Sequence, residues 1–113
     1  MKKKNQSICE ISLTGTKCWY LDNKLHRLDG PALEYSNGDK YWFLNDQLHR
    51  EDGPAIEYAT GSRFWLFHNQ RHRLDGPAIE YADGRKCWYY YGKLISCSSQ
   101  EEFERLIKLK ALW

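Results

Sequence analysis

Residues 63–84 read RFWLFHNQRHRLDGPAIEYADG, and the stretch has two close copies upstream: KYWFLNDQLHREDGPAIEYATG at 40–61 and KCWYLDNKLHRLDGPALEYSNG at 17–38. The period is 23 residues. Trp19, Trp42, Trp65 and Trp88 fall in one column. His26, His49 and His72 fall in another, each followed by an arginine (Arg27, Arg50, Arg73). Asp29-Gly30, Asp52-Gly53 and Asp75-Gly76 come next, each leading into Pro-Ala. A fixed period of this size signals stacked supersecondary units rather than one irregular core.

Each unit predicts two short strands and a return. The aromatic runs KCWYL, KYWFL, RFWLF and KCWYY suit a pleated, half-buried surface. Turn residues follow at Asp22-Asn23, Asn45-Asp46, His68-Asn69 and Tyr91-Gly92. Further turns fall at Asn37-Gly38, Thr60-Gly61 and Asp83-Gly84, of which Asn-Gly and Asp-Gly signal two-residue hairpin loops. Such loops set Leu33 opposite Trp42 and Trp42 opposite His49, which predicts repeated aliphatic–Trp–His rows on one face. The expected fold is therefore mainly β: an antiparallel β-meander or open solenoid of about seven to nine strands, with a C-terminal α-helix. Its structural spine would be Trp19, Trp42, Trp65 and Trp88 with His26 and His49, joined by the loops at Asp29-Gly30, Asp52-Gly53 and Asp75-Gly76.

The units divide one domain, 1–113. A degenerate half unit occupies 6–15, full repeats occupy 17–38, 40–61 and 63–84, a terminal half unit occupies 86–97, and a capping helix is expected over 99–112. In the terminal half unit Ile95 stands where histidine recurs and Ser96 where arginine recurs. End units lack a neighbour on one side, so such decay is expected there. Past residue 97 the period changes. Ser99-Gln100-Glu101-Glu102 reads as a capping box, and Phe103, Leu106, Ile107 and Trp113 follow helical spacing.

With 113 residues, two independent cores do not fit. Aromatics at 15% argue against disorder. No apolar run is long enough for a membrane-spanning helix. The start, MKKKNQSICEISL, lacks the apolar core of a signal peptide. Its lysines read as a mobile tail, and the expected location is cytoplasmic. A net charge of +2 is too small to argue for nucleic acid. Cys9, Cys18, Cys87 and Cys97 form no CxxC pair and read as reduced thiols.

The unit W-x3-[ND]-x2-H-R-x-D-G-P-A-x-E-Y-x2-G, spanning about residues 15–96, resembles the MORN and MORN-like (MORN-2 variant) repeats in period, in the aromatic before the turn and in the glycine between strands. It departs from them in the His-Arg-x-Asp-Gly-Pro-Ala string. That string is similar to repeats of short phage, viral and bacterial proteins. The resemblance implies a meander used for binding and assembly rather than catalysis. For small phage-encoded members it implies inhibition of a host defence protein in the host cytoplasm.

The string itself draws attention as chemistry, yet it recurs three times, and an enzyme needs one site. The structural expectation is a turn at Asp-Gly, a break in the ladder at Pro, and an arginine tying the loop to Asp29 or Glu34. A histidine ladder would step by about 10 Å, two strands, so one metal ion could not reach two rungs; no metal and no cofactor are expected. The candidate binding residues are the basic cluster of the third unit, His68, Arg71, His72 and Arg73, with Arg27, Arg50, Lys40, Arg63 and Lys86 in the recurring columns. Tyr35 is expected to face Lys40, and Tyr58 Arg63. The leading expectation is a non-enzymatic protein that binds another protein through its aromatic sheet and basic third repeat. Nucleotide-type small molecules are the alternative partner, and homodimerisation through a sheet edge or the helix is open. A hydrolase using His72 with Asp75 is the remaining possibility.

Overall fold

The structure, a computed structural model, describes residues 6–110. The lysine run at 2–4, the expected helix end at 112 and Trp113 lie outside the described residues. Fourteen strands and one helix are present among them. The strands are β1 (Ile8–Ile11), β2 (Lys17–Leu21), β3 (Lys24–Leu25), β4 (Leu33–Glu34), β5 (Lys40–Tyr41), β6 (Phe43–Leu44) and β7 (Gln47–Leu48). They continue with β8 (Ile56–Glu57), β9 (Arg63–Phe64), β10 (Leu66–Phe67), β11 (Gln70–Arg71), β12 (Ile79–Glu80), β13 (Lys86–Tyr90) and β14 (Lys93–Ile95). Helix α1 spans Gln100–Lys110.

The main sheet is an open antiparallel meander in the order β1-β2-β4-β5-β8-β9-β12-β13-β14, with β3 on β2. The hairpins β6–β7 and β10–β11 stand off it as separate two-stranded pieces. Strands are more numerous and shorter than expected because the chain leaves the main sheet at the tryptophan. The Trp42 N–H bonds the Ala55 carbonyl, within the unit's main-sheet arm, at 2.7 Å. The Trp42 carbonyl accepts from the His49 N–H, in the hairpin, at 3.1 Å. Trp65 repeats this with Ala78 and His72. Each unit thus feeds two ladders from one residue.

The two kinds of turn are distinguished by their backbone. At Asp22-Asn23, Asn45-Asp46 and His68-Asn69 both residues have φ between 47° and 67°, as a two-residue hairpin turn requires. The Trp42–His49 facing holds accordingly. At Asn37-Gly38 only the glycine has positive φ, 101°. Here Tyr35 and Asp39 close a three-residue loop, with the Gly38 N–H on the Tyr35 carbonyl at 3.0 Å. The extra residue shifts the register by one, so Leu33 pairs Tyr41 rather than Trp42.

That shift decides which residues share the Leu33 face. The apolar row across the sheet is Cys18, Leu33, Tyr41, Ile56, Phe64, Ile79 and Cys87. Tyr35, Tyr41, Tyr58, Phe64 and Tyr81 zigzag along the same face, edge to face, at centroid separations of 5.6 to 6.1 Å. Burial pushes the Tyr41 hydroxyl up to about 12. Ala32, Ala55 and Ala78 are fully buried at the joints, where Ala55 donates to the Phe64 carbonyl of the next unit at 2.8 Å. Trp19, Trp42 and Trp65 are half-buried; each follows a member of that row in sequence and so falls on the opposite face, and Trp42 packs against the buried cluster of Ala55, Ile56 and Leu66.

Candidate functional site

The tryptophan face carries the repeated string. Each arginine sits over its own unit's indole: Arg27 over Trp19 at 3.8 Å, Arg50 over Trp42 at 3.9 Å and Arg73 over Trp65 at 3.8 Å. The Nε donates to Asp29, Asp52 and Asp75 at 2.9 to 3.0 Å. An Nη donates to the carbonyls of Pro31, Pro54 and Pro77 at 3.1 to 3.2 Å. Arg50 and Arg73 reach Glu57 and Glu80 as well, at 3.3 and 3.1 Å. The hydrogen bond and charge of Arg27 hold the Asp29 carboxyl below its usual range. The glycine of the string has a different purpose from the one expected. None of Gly30, Gly53 and Gly76 has positive φ. Instead a Cβ there would lie 2.6 to 2.9 Å from the guanidinium carbon. Glycine makes room for the arginine.

The histidines lock unit to unit. The His26 Nδ1 accepts the Asn45 N–H at 3.0 Å, the His49 Nδ1 accepts the His68 N–H at 3.1 Å, and the His72 Nδ1 accepts the Tyr91 N–H at 2.8 Å. In each case the donor is the first turn residue of the next unit. The second turn residue donates to Leu25, Leu48 and Arg71 carbonyls in turn. His72 also stacks on Tyr91 at 3.8 Å, and burial lowers its pKa. A ring accepting at Nδ1 is neutral there. Histidine, expected only as the cross-strand neighbour of tryptophan, thus also makes a backbone-amide joint to the next unit.

The columns of Lys40, Arg63 and Lys86 run through a row of alternating sign. Consecutive cross-strand partners are Lys17, Glu34, Lys40, Glu57, Arg63, Glu80 and Lys86. Tyr35 and Tyr58 pair with Asp39 and Ser62 instead. Opposite charges across strands contribute about 0.2–1 kcal/mol per pair. An anion approaching this row meets glutamates on both sides of Lys40 and Arg63.

The basic cluster of the third unit does not converge. His68 stacks on His49 at 4.2 Å and its Nδ1 lies 2.9 Å from the Gln47 Oε1. Arg71 points to the aromatic face, bonding the Tyr89 hydroxyl at 3.1 Å near the Phe64 and Tyr89 rings. His72 and Arg73 serve the joint and the tryptophan stack on the other face. The strand β11 ends at Arg71, so His72 and Arg73 lie beyond it and are placed by the joint and the loop. The pair considered for hydrolysis has other partners: His72 takes an amide and Asp75 takes Arg73. Among the described residues no three of His, Cys, Asp and Glu come together as a ligand set.

Two equivalent grooves open on the tryptophan face. One runs between the loop 28–31 and Trp42, Leu44 and His49. The other runs between the loop 51–54 and Trp65, Phe67 and His72. The third equivalent step is filled by α1. There Phe103 is fully buried against Trp88 and Ile95, and Gln100 bridges two units. Its Oε1 accepts the Trp88 Nε1–H at 2.8 Å, and its Nε2 donates to the Leu74 carbonyl at 2.8 Å. Sequence reading placed Gln100 only inside the capping box, which forms with the Glu102 N–H on the Ser99 hydroxyl at 3.1 Å. The sequence signal that points to it is the loss of arginine at Ser96, which leaves Trp88 in need of another cover.

These joints define a hairpin-repeat protein: an open β-meander whose units are tied by histidine–amide and arginine–tryptophan contacts and closed by one helix. No protein-family model matches the chain, and no curated protein matches it.

Proposed function

We propose that the chain is a non-enzymatic interaction module whose partner is another protein. One observation carries the reading. The polar string with the most chemical potential closes on itself in every unit, while two grooves over half-buried indoles stay open beside it. Indole, tyrosine and arginine are the side chains that dominate protein interfaces. Inhibition of a host protein is the consequence such capture has if the chain is phage-encoded. The test is affinity capture from host lysate with the purified chain, followed by native mass spectrometry. A stoichiometric partner is expected, with recovery at least tenfold lower after Glu51→Lys or Arg71→Glu. Absence of any partner sinks the reading.

Arg71 supports a second reading, a nucleotide-type anion held between a cation and aromatic rings. Denatured protein from cells should then release ultraviolet-absorbing nucleotide. An empty supernatant, with no thermal shift on adding nucleotides, counts against it.

A further inference from the structure

The three inter-unit steps on the tryptophan face share one donor and one acceptor. The donor is the indole N–H of the later unit, and the acceptor is the carbonyl of the residue before the Asp-Gly pair in the earlier unit. At the third step these are the Trp88 Nε1 and the Leu74 carbonyl, and the Gln100 carboxamide joins them. At the first two steps they are Trp42 with Leu28, and Trp65 with Glu51. Among the described residues, none of those four groups has a hydrogen-bond partner. A primary carboxamide is the side-chain group that offers an acceptor oxygen and donor nitrogen on one small planar unit.

We infer that the grooves over Trp42 and Trp65 bind a glutamine-bearing amphipathic helix of a partner protein, its carboxamide bridging indole N–H and loop carbonyl as Gln100 does at Trp88. The inference rests on the protein-binding reading and names the partner's chemistry. The visitor differs from α1 in two respects that the grooves dictate. Arg50 and Arg73 already cover their indole rings, so the visitor meets the indole edge rather than the face that α1 shields. Of the three carboxylates that line the Trp65 groove, Asp52 and Asp75 are held by Arg50 and Arg73, which leaves Glu51, 3.6 Å from the His49 Nε2, as the one with no guanidinium partner among the described residues. The matching helix therefore carries lysine or arginine where α1 carries Glu101 and Glu104. Spacing suits a helix: units step by about 10 Å along the sheet, and packed helices lie about 8–10 Å apart. A helix over Trp65 would extend the layer that α1 begins.

The probe is a peptide of residues 98–110 carrying Glu101→Lys and Glu104→Lys, titrated into the isotopically labelled full chain. The indole N–H signals are followed by nuclear magnetic resonance. Saturable movement of the Trp42 and Trp65 signals is expected, with Trp88 unmoved. A second peptide carrying Gln100→Leu in addition should bind at least tenfold more weakly, and Glu51→Lys in the protein should weaken the first peptide similarly. Static Trp42 and Trp65 signals at millimolar peptide, or equal binding by the two peptides, overturn the inference. Lysate capture separates the two levels. A partner whose recovery ignores Glu51→Lys but falls with Arg71→Glu leaves the protein-binding reading standing without this site.

Discussion

Trp65 and Trp88 occupy the same column 23 residues apart, and they are covered in different ways. Trp65 is half-buried under Arg73, which is pinned by Asp75, the Pro77 carbonyl and Glu80. Trp88 is 7% exposed, with serine in place of arginine and a helix above it. An interior unit covers its indole with a side chain from its own loop and leaves the groove beside it open. The end unit has no following loop, so a separate element fills ring cover and groove together. The comparison shows that the repeated string stabilises the repeat, and that the groove is what remains after it has done so.

The sharpest way to break the comparison is at the end unit. Phe103→Ala removes the fully buried side chain that closes it. A loss of about 3–5 kcal/mol is expected by chemical denaturation, with Trp88 becoming as exposed as Trp65. A loss below about 1 kcal/mol would mean that α1 is an ornament on a self-sufficient sheet. Next in size is Gly76→Ala, which places a Cβ 2.6 Å from the Arg73 guanidinium carbon. Displacing that guanidinium should cost about 1–3 kcal/mol. The control is Gly84→Ala, which meets no atom within 4 Å but sits at φ 95°, so its penalty of about 1–2 kcal/mol is backbone strain alone. Arg73→Lys should bring the two indoles closer in character still. The charge survives, but the fork that serves Asp75, Pro77 and Trp65 together is lost, and about 1–2 kcal/mol should go with it. If Arg73→Lys is neutral, the stack is incidental.

The smallest effect is a pH dependence that separates the interior joints from the end. Burial lowers the His72 pKa below 6.5, and its Nδ1 must be unprotonated to accept the Tyr91 amide. The unfolded chain therefore binds the proton first as pH falls. Stability from this joint is full above pH 6.5 and declines below it. His72→Gln should flatten that part of the stability profile. The Asp29 contribution, with its carboxyl held low by Arg27, persists in the same window and is lost only below the ordinary carboxylate value of 3.8. A profile that is flat between pH 7 and 5 in the parent chain would remove the histidine joint from the account.

Several of these features were legible in the repeat alone. The period implied stacked hairpins, alternation implied strands, and Ser99 to Glu102 implied a helix start. Arg27 tying to Asp29 was readable because the partners lie two residues apart. The register was not, because Asn37-Gly38 is compatible with either a two-residue or a three-residue loop. One residue of difference moves every side chain to the other face. Leu33 consequently shares its face with Tyr41 and Ile56, while three of the four tryptophans serve as platforms for arginine.

Local chemistry along the chain was enough to determine the repeating antiparallel architecture and its closing helix, since each rests on contacts between residues near in sequence. Only the tertiary structure decided which face each column occupies, that histidine accepts an amide 19 residues ahead, and that Gln100 spans two units. Those outcomes depend on how one hairpin is seated on the next, and no pattern within a single unit encodes the contact that its neighbour completes.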